Sequence, residues 1–237
     1  MKKMLLDIHT HTIMSGHAYG TMRENIYAAK EKGLKLIGIS EHAPGIRGAC
    51  NPIYFLNFAV VPRVIYGIEV FHGSEVNVLN DGSLSLDQRH LDSLDYGIVG
   101  IHSHCYDDQG IEKNTDNLIS CMKNERIFFV SHPDDDSTPL DYKRLVEAAK
   151  KYHVALEVNN SSLLNPEDRL NCYENYRIML PLCLEYRVPI YIASDAHDPS
   201  AVGEFSKAIE LLEEIGFDEE LIINNDVNKF KKFIKYA

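Results

Sequence analysis

Seven short apolar runs, separated by stretches of helical periodicity, constrain this chain more than any other feature of its sequence. The runs are Met4–Ile8, Lys35–Ser40, Val70–Val78, Tyr96–Ile101, Ile127–Ser131, Val154–Val158 and Pro189–Ala193. Several are near-continuous in apolar residues, as expected of strands covered on both faces in a parallel sheet. Thr21 and Glu24 have capping-box spacing and open a helix that carries Met22, Ile26 and Ala29 on one side. Leu118, Ile119 and Met122 mark a second helix. Thr138-Pro139 reads as an N-cap and first-turn proline ahead of Tyr142, Leu145, Val146 and Ala149. Phe205, Ala208, Ile209 and Leu212 form a further stripe that stops at Gly216. Strands alternating with helices argue for parallel βα packing, so the expectation is an α/β chain with residues 1–237 forming a single-domain barrel. Two places break the rhythm: an aromatic and proline-containing insert at 43–66, and a hairpin turn at Asn80-Asp81-Gly82.

Acidic side chains outnumber basic ones 35 to 24, a formal charge of −11. That balance argues against a nucleic-acid partner, whose phosphates need clustered Lys and Arg. Lys229, Lys231, Lys232 and Lys235 read as a solvated helix face. No apolar run approaches the ~18 residues of a membrane span. The opening Met1-Lys-Lys-Met-Leu-Leu is broken at Asp7, too early for a signal peptide. The 5 cysteines show no C-x-x-C pair, which fits a reducing cytoplasm better than a disulfide framework.

The 11 histidines stand out by position. His9 and His11 follow the first run at the i, i+2 spacing that puts both on one face of an extended chain, with Asp7 two residues earlier. His17 lies just beyond, His42 follows the second run, and Glu75 lies in the third. His102 and His104 follow the fourth, His132 the fifth, and Asp195 and His197 the seventh. In a βα barrel these strand ends converge on one face. Imidazoles with two carboxylates are the ligand chemistry of first-row metals, and there are too many for one tetrahedral ion, so two or three ions are implied. Glu75 is free to bridge them. His72, His90 and His153 fall outside the pattern and read as structural or solvent-exposed.

His9-Thr-His11 with His17, Ser40-Glu41-His42, Gly73-Ser-Glu75, Gly100-Ile-His102, Ser131-His132-Pro133 and Ser194-Asp195-Ala-His197 resemble the PHP (polymerase and histidinol phosphatase) domain. Ser15-Gly-His17-Ala-Tyr, Leu156-Glu-Val-Asn-Asn-Ser-Ser162 and Gly203-Glu-Phe205 are similar to its small bacterial YcdX-like phosphatases. The resemblance runs from about residue 5 to 215 and implies a distorted (β/α)7 TIM-like barrel with three metal ions at the strand ends. It implies that His9, His11, Glu75 and Asp195 hold one ion and that His17, His42 and His197 hold a second. Glu75 bridges to a third, completed by His102 and His132. Two histidines compete for one position in Ile101-His102-Ser103-His104, where His102 has the better motif match. Asp7 and Asn159 are candidates for orienting the imidazoles.

The implied function is a metal-dependent phosphatase hydrolysing a small phosphomonoester with a metal-activated hydroxide. Zinc is the foremost metal, with manganese or iron as alternatives. Glu75, Asp195, His197 and His104 are the catalytic candidates, His104 or His197 serving the leaving group. The alternatives are a histidinol-phosphate phosphatase, a 3'-5' exonuclease of the same family, and a non-enzymatic zinc-binding protein. An exonuclease should show a basic track for the strand. Amidohydrolases share the first H-x-H but place a bridging lysine where Glu75 stands. Substrate choice is expected in loops 43–62, 103–113 and 161–170, where Arg47, Arg63 and Arg169 are candidates to reach a phosphate. The expected partner is a small phosphorylated substrate, without nucleic acid or membrane; self-association is left open.

Overall fold

The computed structural model describes residues 1–236. Its sheet contains Leu6–Asp7 (β1), Leu36–His42 (β2), Val64–Ile65 (β3), Ile68–Asn77 (β4), Tyr96–Gly100 (β5), Ile127–Val130 (β6), Ala155–Asn159 (β7) and Ile190–Ala193 (β8). In the order β1-β2-β4-β5-β6-β7-β8 every neighbouring pair is parallel, and the seven strands curl into a nearly closed barrel. Each overlaps one of the seven apolar runs. The antiparallel β3 pairs with β4 across Tyr66-Gly67, both at positive φ (54° and 83°). Two residues carry no readable period, so this hairpin was not foreseen.

The helices are Met22–Glu31 (α1), Ile53–Leu56 (α2), Gln88–Leu91 (α3), Ile111–Met122 (α4), Tyr142–Tyr152 (α5), Asn160–Leu164 (α6), Cys172–Tyr186 (α7), Ser206–Ile215 (α8) and Val227–Phe233 (α9). The capping box of α1 is complete: Glu24 N donates to Thr21 Oγ1 (3.3 Å) and Thr21 N to Glu24 Oε2 (2.7 Å). The expected cap at Thr138-Pro139 is wrong. α5 starts after Asp141, whose carboxylate accepts from Arg144 N at 3.1 Å. Asn114 Nδ2 donates to Pro139 O and Leu140 is buried, which holds this stretch non-helical until Asp141. The turn at Asn80-Asp81-Gly82 is present, with Val78 and Leu84 bridged antiparallel across it.

Alternating strand residues divide the core in two. Ile37, Ile39, Val70 and Val99 face the helices, while Leu36, Phe71, Tyr96 and Ile98 face inward. The interior is aromatic: Tyr96 and Tyr191 meet Phe129 edge-on at 5.5 and 4.9 Å between centroids, and Phe230 of α9 closes the bottom. Tyr96 crosses beneath the strand ends and donates to Ile8 O at 2.6 Å. That crossing needs glycine on two neighbouring strands. A Cβ at Gly38 would lie 1.9 Å from Tyr96 Oη, and one at Gly73 2.5 Å from Tyr96 Cε2.

The barrel's seam lies between β1 and β8. Thr10 and Ala196 bridge its upper end, and below them Asn224 stands in for a missing ladder. Its Nδ2 donates to Leu6 O (2.9 Å) and Ile192 O (2.7 Å), its Oδ1 accepts from Ile192 N, and its carbonyl accepts from Leu5 N. Of the C-terminal lysines, Lys232 and Lys235 are exposed as expected, but Lys229 and Lys231 are not simply solvated. Lys229 Nζ donates to the carbonyls of Glu220 and Ile222, and Lys231 pairs with Glu69 at 2.5 Å. Both tie the closing segment down. Among the described residues no helix is long and apolar enough to cross a membrane.

Candidate metal centre

The strand ends deliver their polar residues to one mouth. His9 and His11 leave β1, His42 ends β2 opposite Glu75 of β4, and His102, His132 and Asp195 follow β5, β6 and β8. Their ligand atoms fall into groups. In the first, His9 Nε2, His11 Nε2, Glu75 Oε2 and Asp195 Oδ1 have five recorded separations between 3.0 and 3.5 Å. Ligands about 2.0–2.1 Å from a tetrahedral ion are about 3.4 Å apart. In the second, Glu75 Oε1, His102 Nε2 and His132 Nε2 form a triangle with sides of 2.9 to 3.2 Å. In the third, His17 Nε2 and His197 Nε2 are 3.0 Å apart. His42 stands between groups: its ring stacks on that of His17 at 5.0 Å, yet its Nδ1 is 2.9 Å from Glu75 Oε2. His11, His42 and His197 also share a possible ligand cluster.

The donor set fits divalent cations. His42 Nδ1, Glu75 Oε2 and Asp195 Oδ1 are buried, and close as they lie to neighbouring polar atoms none makes a hydrogen bond of good geometry. Such orphans cost about 1–3 kcal/mol each, more when charged, unless something satisfies them. Burial pushes the Glu75 carboxyl up, but the imidazoles of His102, His9 and His42 outweigh it and hold the carboxyl well below its usual range. Asp195 is held low against burial by His9, His11 and His197. Burial works against a charge on His9, but Glu157, Glu75 and Asp195 raise it well above the ordinary value. A cation entering there must displace a proton.

Two of these residues stand on strained backbone, His132 at φ 26° and Asp195 at φ 50°. A non-glycine residue in that region costs on the order of 1–3 kcal/mol and persists only where its surroundings over-determine it. Those surroundings include carboxylates that were missed from sequence. Glu157 Oε1 faces His9 Nδ1 at 2.7 Å, and its Oε2 accepts from His132 N at 2.5 Å. Glu41, fully buried, accepts from Thr12 N, Thr12 Oγ1 and Ser15 Oγ. The readable signal was an acid inside an apolar strand, which a core rejects unless the acid is hydrogen-bonded.

Asp7 and Asn159 act otherwise than expected. Asp7 reaches no imidazole ring; it accepts from Ser194 Oγ (2.5 Å) and Gly203 N (2.9 Å) and so pins the Asp195 loop, while burial raises its carboxyl to about 6. Asn159 Nδ2 donates to Asp195 Oδ2 (3.1 Å) and Glu157 Oε2 (3.0 Å), steering carboxylates instead. His102 joins Glu75, whereas His104 lies exposed on the mouth. The mouth is a cavity of about 530 Å³ that includes Arg47, His104 and Arg169, together with Asp135, Ser137 and Thr138 from a loop not singled out from sequence. Arg63 is not there: it pairs with Asp95 at 2.5 Å, beside the start of β5 at the barrel's opposite end. His72 stacks on Phe58, His90 pairs with Asp87 and His153 stacks on Phe233, all outside the mouth.

The family model described as the PHP domain matches residues 7–161. A protein named probable phosphatase from Thermoanaerobacter sp. (strain X514) is 38% identical over 235 residues, covering 98% of this chain and 95% of that one. One of the same name from Clostridium botulinum (strain Hall) is 38% identical over 234 residues, with the same coverage. Among solved structures, a histidinol phosphate phosphatase from Lactococcus lactis, complexed with zinc, L-histidinol and phosphate, superposes with a TM-score of 0.56 at 17% identity, covering 90% of this chain and 94% of that one. A putative histidinol phosphatase from Listeria monocytogenes gives 0.61 at 17% identity, covering 85% and 98%. At such identity these two speak for the fold alone.

Proposed function

This chain belongs to the PHP domain family, and on that premise we propose that it is a metal-dependent phosphatase acting on a small phosphomonoester at a site of three divalent ions, zinc foremost. The observation that carries the reading is Glu75. Its two carboxylate oxygens face separate groups, Oε2 toward His9, His11 and Asp195, and Oε1 toward His102 and His132. A bridging carboxylate has that arrangement. Divalent ions held there would supply Lewis-acid stabilisation of phosphoryl oxygens and acidify a water.

The remaining work falls to the chain itself. His9, His11, His17, His42, Glu75, His102, His132, Asp195 and His197 are the proposed ligands. Arg169, three-quarters buried at the mouth, presents a fixed cation to a phosphate, and Arg47 offers a second, exposed one. His104, exposed on the same cavity and outside the ligand groups, can give a proton to the departing alkoxide. Ser137, Thr138 and Asp135 suit a small, hydroxylated leaving group. The curated relatives named probable phosphatases support the reaction class. The test is a phosphomonoester panel assayed with zinc-loaded and manganese-loaded protein. Turnover of at least one small ester is expected; no turnover of any would overturn the proposal.

A further inference from the structure

Every imidazole that offers Nε2 as a ligand must carry its proton on Nδ1, and something has to hold that proton there. For His9 the holder is plain, since Glu157 Oε1 lies 2.7 Å from Nδ1. For His11 it is a hydroxyl, which can donate as readily as accept. Ser15 Oγ lies 3.0 Å from His11 Nδ1, 2.6 Å from Glu41 Oε2 and 3.0 Å from the backbone N of His42. A hydroxyl has one proton and two lone pairs. The His42 N–H can only donate, so it takes one lone pair. The serine proton goes to the nearer, ionisable partner, because a hydrogen bond to a carboxylate is the stronger choice. Glu41 Oε2 already accepts from Thr12 N at 3.0 Å, and Oε1 accepts from Thr12 Oγ1 at 2.5 Å, so the carboxylate is fixed as an acceptor. One lone pair of Ser15 remains, and His11 Nδ1 can meet it only as a donor.

We infer that Glu41, acting through Ser15, is a positioning residue that locks His11 in its Nδ1–H tautomer and so turns the Nε2 lone pair toward Glu75 and Asp195. The local chain is built for this. Thr12 caps the short turn Ile13–Ser15, and Gly16 at φ 87° reverses the backbone directly after it. Ser15 is thereby held inside the barrel mouth with no solvent exposure. The same serine also takes the N–H of His42, so one hydroxyl orders a residue of two neighbouring ligand groups. Glu157 does directly for His9 what Glu41 does at one remove for His11.

The inference rests on the reading of this cluster as a metal site, and two measurements separate them. Long-range 1H–15N correlation spectra of chelator-treated protein near pH 8 report the imidazole tautomers, with His11 assigned by its loss in His11→Gln. The wild type is expected to show Nδ1–H at His11, and Ser15→Ala a shift to the Nε2–H form. Zn2+ titration of the same proteins is expected to show about 10- to 100-fold weaker binding at one ion in Ser15→Ala. An Nε2–H tautomer in the wild type, which needs no variant to fold, overturns the lock while leaving the metal site standing. So does unchanged Zn2+ affinity in folded Ser15→Ala. No Zn2+ uptake by the wild type removes both readings.

Discussion

Replacing Glu75 by Gln tests the bridge with little change of shape. Ser131 Oγ donates to Glu75 Oε1 at 2.7 Å and will still need an acceptor, so the new amide should set its oxygen there. Its NH2 then points at His9, His11 and Asp195, where two donor protons replace a ligand lone pair. The first group loses a ligand outright, and the His102 and His132 group keeps a neutral oxygen in place of an anion. Ions saturating at about 1,000 times Kd each add about 4 kcal/mol to stability, and a 100-fold loss of affinity removes about 2.7 kcal/mol of that. Two weakened ions cost about 5 kcal/mol. For a chain of 237 residues the unfolding entropy is about 0.5 kcal/mol/K, so the rise in Tm on zinc loading should shrink by about 10 °C. The assay is paired thermal melts of chelator-treated and zinc-buffered protein, with bound metal counted by elemental analysis. Using each protein's own metal-free melt as baseline removes packing effects common to both states. An unchanged rise together with unchanged stoichiometry would refute the bridge.

Three other outcomes are expected. His72 is buried against Phe58, and burial lowers it from 6.5 to about 4. A lowered histidine stabilises the fold above its unfolded pKa and loses that contribution as pH falls toward the folded one, here about 2 kcal/mol between pH 7 and pH 5. His72→Phe should lose about 2 kcal/mol less than wild type over that interval in urea titrations; equal losses would show that His72 is not the source. Asn224→Ala strips partners from Leu6 O, Ile192 O and Ile192 N, each worth about 1–3 kcal/mol when buried, so Tm should fall by 6 °C or more. A drop under 2 °C would mean that water replaces the amide at no cost. Gly73→Ala drives a methyl into the Tyr96 ring and should cost about 1–3 kcal/mol of overpacking, largely recovered by adding Tyr96→Leu; no recovery in the double variant would place the strain elsewhere.

Seven barrel strands were legible in the sequence because each is apolar enough to read as a continuous buried run, and strand order follows from the alternation with helices. Val64–Ile65 was not, because two residues have no period. The false helix start at Thr138-Pro139 shows the limit of local signals: Asp141 caps just as well, and packing of Leu140 decided between them. The nine proposed ligands were visible because strand ends in a barrel converge, so spacing along the chain translates directly into neighbours in space. The carboxylates behind them were harder. Glu41 and Glu157 sit inside strands, and which imidazole each serves depends on side-chain geometry across the barrel. Arg63 failed for a related reason, since nothing in its neighbourhood along the chain tells which end of the barrel it faces.

The Asn224 seam has a consequence for how the chain is made. Its contact with Leu6 spans 218 residues, so the first and last barrel strands cannot be joined through it until that residue has left the ribosome. Growth from Ala193 to Asn224 takes roughly two to six seconds at ordinary elongation rates. Through that interval a nascent chain holding every barrel strand still presents β1 and β8 as raw edges, templates for pairing with another chain. Nascent chains stalled short of Asn224 should therefore be cut by protease and captured by holdase chaperones, and those stalled well past Phe233 should resist both. Equal resistance would mean that the Thr10–Ala196 bridge is enough to shut the barrel unaided. The Asn224 segment thus acts as a clasp on the barrel, one that can close only after every barrel strand has been made.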